Sequence, residues 1–128
     1  MTITETSLTT RVDLHHIDDA ACRRFLSSVE LVGKRWSSGI LLALFRGATR
    51  FSEVLTMVDG LSDRLLAQRL KELEGAGLVE RSVIPSTPVQ VRYALTQRGD
   101  ELIRSLQPLA QWGHRWGIST NGKPAPTA

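Results

Sequence analysis

The sequence predicts a mainly α fold carrying one small β-ribbon (α+β), and three observations predict it. Leu66, Leu70 and Leu73 recur at helical spacing behind Ser62, with Leu65 flanking them. Val91, Tyr93 and Leu95 then alternate with Gln90, Arg92 and Ala94, a period of two. Between those patterns Gly75 and Gly77 break the helix, and Pro85 and Pro88 bound a ribbon tip.

The elements follow in order. Residues 1–17 open with a threonine-rich stretch that has no apolar periodicity, and they are expected to be a flexible arm. Asp18 and Asp19 are cap residues for a first helix of roughly Asp19 to Val32, with Phe25, Val29 and Val32 as its apolar stripe and Gly33 as its end. Ser37 opens a second helix that buries Ile40, Leu41, Leu44 and Phe45 and stops at Gly47. Ser52 is expected to cap a short third helix carrying Val54, Leu55 and Val58, which ends near Asp59 and Gly60. Ser62 caps the fourth. Leu78 to Ile84 and Val89 to Leu95 read as strands. Thr96 caps a last helix of roughly Gln97 to Trp116, striped by Leu102, Leu106, Leu109, Gly113 and Trp116. Pro108 is expected to kink it, because proline removes one backbone bond. Residues 118–128, with Gly122, Pro124 and Pro126, read as a flexible tail.

The order α-α-α-α-β-β-α is that of a winged helix-turn-helix with one extra helix at each end, so 18–117 is read as one domain. Length and composition agree. The chain has 128 residues, enough for a core, with 41% hydrophobic and 23% charged residues, as in ordinary soluble globular proteins. A net charge of +3 permits a nucleic-acid partner without requiring one. The longest apolar run, Ile40 to Phe45, is too short to span a membrane, and no signal peptide is visible. With one cysteine there is no internal disulfide, so a cytoplasmic location is expected.

The fourth helix turns Ser62, Asp63, Arg64, Ala67, Gln68 and Lys71 away from its leucines, with Arg69 at the edge. Arginine and lysine pair with guanine O6 and N7, and glutamine with adenine N6 and N7. Ser62 and the free N–H groups at the helix start suit a phosphate oxygen. A solvated amphipathic helix would have the same polarity. The short helix before it and the ribbon after it favour double-stranded DNA. The ribbon adds Arg81, Ser86, Thr87, Gln90 and Arg92, where Gln90 and Arg92 share a strand face within reach of a phosphate or a minor groove. A hairpin bounded by two prolines is also simply a stable loop. Arg46 and Arg50, beside Ser52, are either phosphate clamps or surface charges.

The terminal helices carry a second signal. Trp112 and Trp116 lie one turn apart outside the winged unit, beside Leu102, Leu106 and Leu109, and Phe25 lies on the first helix. Aromatic anchors of this kind suit the centre of a homodimer interface, and packing onto the chain's own core is the alternative. Cys22 falls in the first turn of the first helix, followed by Arg23 and Arg24. The helix terminus and those cations favour a reactive thiolate; Asp18 and Asp19 oppose it, and an inert half-buried cysteine is the other reading. His15, His16 and His114 form no metal-ligand spacing with Cys22, and no catalytic set is visible, so neither metal, cofactor nor catalysis is expected.

Five segments taken together resemble the HxlR-type (DUF24-like) transcription regulators, relatives of the MarR group. They are Cys22; Val32-Gly33-Lys34-Arg35-Trp36; Arg50-Phe51-Ser52-Glu53-Val54; Leu61 to Leu73; and Gly77-Leu78-Val79-Glu80-Arg81 through Tyr93-Ala94-Leu95-Thr96 to Trp112-Gly113. The resemblance spans roughly Cys22 to Trp116. It implies a homodimeric regulator, usually a repressor, on an inverted-repeat operator, with the helix from Ser62 in the major groove and the terminal helices building the dimer. In some members the cysteine at the position of Cys22 senses oxidants or electrophiles. Two departures stand out: the family's wing often reads Pro-Arg-Val-Glu-Tyr where this chain has Val89-Gln90-Val91-Arg92-Tyr93, and many members follow the cysteine with proline where this chain has Arg23. Two other readings accompany this one. A winged-helix protein-interaction module would use the tryptophans and no DNA, and a ligand-gated sensor would hold a small apolar effector between the terminal helices and the winged unit.

Overall fold

The computed structural model describes residues 11–117. The expected tail at 118–128 and the first ten residues of the expected arm lie outside them. Within the arm, Leu14–His16 form one 3-10 turn, capped where the Asp13 carboxylate accepts from the His15 N–H at 3.0 Å and meets His16 Nδ1 at 2.8 Å.

Two compact units divide the chain between Lys34 and Arg35. The first holds α1 (Asp19–Gly33), whose Asp18 cap accepts from the Ala21 N–H at 2.7 Å. None of its residues is buried: Phe25, Leu26 and Val29 stay 46%, 54% and 48% exposed. An amphipathic stripe without cover within its own unit needs cover from elsewhere.

The second unit contains α2 (Ser37–Phe45), α3 (Phe51–Met57), α4 (Asp63–Gly75), β1 (Val79–Ile84), β2 (Gln90–Leu95), α5 (Gln97–Ser105) and α6 (Gln107–Trp116). Its core is Ile40, Leu41 and Leu44 from α2, Val54 from α3, Leu66, Leu70 and Leu73 from α4, and Leu78 and Val79 at the start of the ribbon. Leucines at i, i+4 and i+7 place one stripe of α4 against α2 and β1 and leave the opposite stripe outside. α4 starts where Ser62 Oγ accepts from the Leu65 N–H at 3.1 Å. It stops at Gly77, whose φ of +77° only glycine adopts cheaply, and whose carbonyl accepts from the Thr96 hydroxyl that caps α5.

The strands pair antiparallel, with Val79 opposite Leu95 and Ile84 opposite Gln90. Burial along β2 does not alternate as the period-two pattern implies, because both faces are partly covered: Arg81 and Tyr93 border α4, while Thr49 accepts from the Tyr93 N–H at 2.8 Å on the ribbon edge.

Three expectations need correction. Ser52 is not the cap of α3, since the extended residue before that helix is Arg50 and Ser52 is already its second residue. Glu53 caps it instead, its carboxylate accepting from the Thr49 and Arg50 N–H groups at 2.8 and 3.0 Å. Phe45 does not join the buried stripe of α2; it is 41% exposed, with the Arg104 guanidinium stacked 5.0 Å from its ring. Finally, the last helix is not one kinked helix but two, separated at Leu106, and Pro108 sits in the first turn of α6, where its missing N–H costs nothing.

Candidate nucleic-acid interface

The outward stripe of α4 carries Ser62, Asp63, Arg64, Ala67, Gln68 and Lys71, all of them exposed. They sit on the helix's opposite side from Leu66, Leu70 and Leu73, so the core that fixes the helix also aims them. Among the described residues neither Arg64 nor Lys71 is in an ion pair. Gln68 lies 3.4 Å from a Glu72 carboxylate oxygen, a contact loose enough to exchange for a base edge.

Arg69 differs from its neighbours. Its guanidinium pairs with Glu72 at 2.9 Å and donates from Nε to the Arg35 carbonyl at 3.3 Å, with the side chain only 20% exposed. The residue ties α4 to the segment entering α2.

The ribbon and the start of α3 meet in one polar cluster. Arg92 donates from Nη2 and Nε to the Gln90 side-chain oxygen at 2.7 and 3.2 Å, and from Nη1 to the Thr49 hydroxyl at 3.2 Å. Arg50 Nη2 reaches the same Gln90 oxygen at 3.5 Å. Thus Arg50 stands beside Gln90 and Arg92, which lie far from it in sequence. Thr49 and Glu53, which pattern reading overlooks, complete the cluster. Glu53 at the third helical position supplies only the glutamate half of a capping-box signal; Thr49 carries none. Bonds from the Thr49 and then the Arg50 backbone hold the Glu53 carboxyl below its ordinary value, with smaller help from the Thr49 hydroxyl and the Arg50 charge.

At the ribbon tip Ser86 turns inward, its hydroxyl donating to the Pro88 carbonyl at 2.7 Å, whereas Thr87 is exposed. Ser52 and Arg46 are exposed beside the start of α3 and the end of α2. Elsewhere, Leu109, Trp112 and Trp116 of α6 are more than half exposed, Leu102 and Leu106 are half-buried, and Cys22 of α1 is half-buried. An open groove of about 540 Å³ runs between α2 and α5–α6, lined by Leu42, Phe45, Ile103, Leu106 and Leu109. Among the described residues no cluster of histidine, cysteine and carboxylate side chains has metal-site geometry, and no helix is long and apolar enough to cross a membrane.

A leucine-anchored helix with a donor-rich outer face, a short capped helix before it and a basic ribbon beside it define a winged helix-turn-helix. The HxlR-like helix-turn-helix family profile matches residues 31–121. The chain is 43% identical over 95 residues to the HTH-type transcriptional regulator YvaP of Bacillus subtilis, covering 74% of this chain and 88% of that one. It is similar in structure to the reduced form of the transcriptional regulator YodB from B. subtilis, at a TM-score of 0.68 and 38% identity over 80% of this chain and 98% of that one. The redox regulator HypR in its oxidized form superposes with a TM-score of 0.66 at 27% identity, over 72% of this chain and 95% of that one. The chain therefore belongs to the HxlR family of DNA-binding, helix-turn-helix transcription regulators.

Proposed function

We propose that the protein is a cytoplasmic homodimeric repressor that binds an inverted-repeat operator. The observation that carries this reading is the exposed Ser62–Lys71 face of α4, fixed from behind by three buried leucines. In such a fold this helix enters the major groove. Arg64, Gln68 and Lys71 are assigned to base edges, with Asp63 and Ala67 packing against them, and Ser62, Arg50, Ser52, Thr87, Gln90 and Arg92 to the backbone. Arg69 and Ser86, engaged within the chain, support that surface rather than touch DNA.

Dimerisation is supported by the apolar surface that each unit leaves uncovered: Phe25, Leu26 and Val29 on α1, and Leu109, Trp112 and Trp116 on α6. Exposed patches rich in tryptophan mark association surfaces, and a two-fold dimer offers two α4 helices to a symmetric site. Leu102 and Leu106 belong to the same interface. Sedimentation with a bound duplex tests it: two chains per duplex are expected, and one chain per duplex overturns it.

Thiol chemistry at Cys22 is the proposed signal. Its support is the half-buried but reachable thiol and the similarity to YodB, solved in reduced and diamide-treated forms, and to the redox regulator HypR. A thiol oxidant or quinone should release DNA from the wild type and not from Cys22→Ser; equal responses contradict it. A small apolar effector in the groove beside Phe45 is the second signal reading, favoured by the lining of that groove.

A further inference from the structure

The cluster where the ribbon meets α3 holds more order than two surface arginines require. The Arg92 side chain is part-buried and makes three bonds, two to Gln90 and one to Thr49. Arg50 comes to the same Gln90 oxygen from the other side. Two guanidinium groups therefore converge on one neutral amide. Among the described residues neither is in an ion pair. The nearest carboxylate, Glu53, is occupied with the Thr49 and Arg50 backbone N–H groups and the Thr49 hydroxyl. Like charges held together on a neutral amide repel, and an anion bridging them removes that cost. Thr49 is the hub: its carbonyl accepts from the Tyr93 N–H, its hydroxyl from Arg92, and its N–H donates to Glu53.

We infer that Thr49 and Glu53 are positioning residues that hold Arg50 and Arg92 around Gln90 as one preformed clamp for a single DNA backbone phosphate. The inference rests on the DNA-binding reading above and adds how the wing does its part. An arginine pinned midway along the ribbon by Thr49 grips a phosphate beside the start of α3 and does not read the minor groove from the ribbon tip. It also explains how the clamp survives with arginine at position 92 and glutamine at position 90: the amide orients the guanidinium, and Thr49 steadies it from the loop before α3.

The test is a double-mutant cycle on a duplex first obtained by selection with the wild type. Thr49→Val removes the hydroxyl and keeps the carbonyl bond to Tyr93. It is expected to weaken binding about threefold to tenfold, equally for the selected and an unrelated duplex, and to flatten the salt dependence by about 0.9 in slope for each phosphate that is no longer neutralised. In an Arg92→Ala background the same change should cost nothing further, and Thr49→Ser should bind like the wild type. Thr49→Val with wild-type affinity at every salt concentration, or with its full effect undiminished beside Arg92→Ala, overturns the inference. If Thr49→Val melts at the binding temperature, Glu53→Gln is read the same way with Arg50→Ala as its cycle partner. Failure of the wild type to bind any duplex at low salt is a separate result, seen before any variant is made, and removes the DNA reading together with the clamp.

Discussion

Arg64 and Gln68 stand one turn apart on the outer face of α4, and the chemistry of their side chains sets what their removal should do. Arg64→Ala or Gln68→Ala is expected to lower discrimination between the operator and a one-base variant by about 1–3 kcal/mol where the pairing is bidentate. Competition binding with the two duplexes measures it, and unchanged discrimination removes that residue from base reading. Glu53 carries a pH consequence. Its carboxyl is held below the ordinary 4.5, so its stabilisation of the Thr49–Arg50 turn is fully present above that value and is lost as pH falls through the lower folded one. Acid titration of the melting temperature should therefore fall less steeply in Glu53→Gln than in the wild type; superimposable curves contradict the cap. The residues of the outer face of α4 are legible in sequence because helical spacing alone turns them away from the leucines. Thr49 is not, since its role comes from a ribbon that returns to it more than forty residues later.

At the scale of elements, the helices and strands lie where caps, glycines and proline spacing put them, and the misplacements have local causes. Ser52 has the side chain of a good cap, but Glu53 satisfies two backbone donors with one oxygen and moves the helix start back to Phe51. Pro108 within a long apolar stripe suggests a kink, whereas a proline also tolerates the first turn of a new helix, and the chain takes that course after Leu106. Spacing alone assigns Phe45 to the core, yet tertiary placement leaves it on the groove between α2 and α5. The joint between ribbon and α5 is tight: Gly99 is buried, and a methyl group built there would run into the Leu78 carbonyl. Gly99→Ala should lower stability by about 1–3 kcal/mol in urea unfolding, and a neutral result would mean that α5 shifts freely against β1.

For the whole molecule, composition decides nothing about function, and a charge of +3 is compatible with many partners. Arrangement decides it: a buried leucine stripe fixes α4, the ribbon folds back on Thr49, and two apolar faces are left uncovered. An association surface is legible in sequence only as unexplained aromatics, because one chain holds no signal for what would cover Trp112 and Trp116. Replacing both tryptophans with serine should convert a dimer to monomer in sedimentation and weaken operator binding by more than tenfold, since each α4 then binds alone. A double variant that stays dimeric would move the interface elsewhere.

Whether this chain reads DNA sequence as a two-fold dimer is tested most directly by a binding selection from a random double-stranded DNA library, followed by sequencing. Enrichment of an inverted repeat with half-sites about one helical turn apart is the expected result. No enrichment at low salt, or enrichment of a single unsymmetrical half-site, would contradict it.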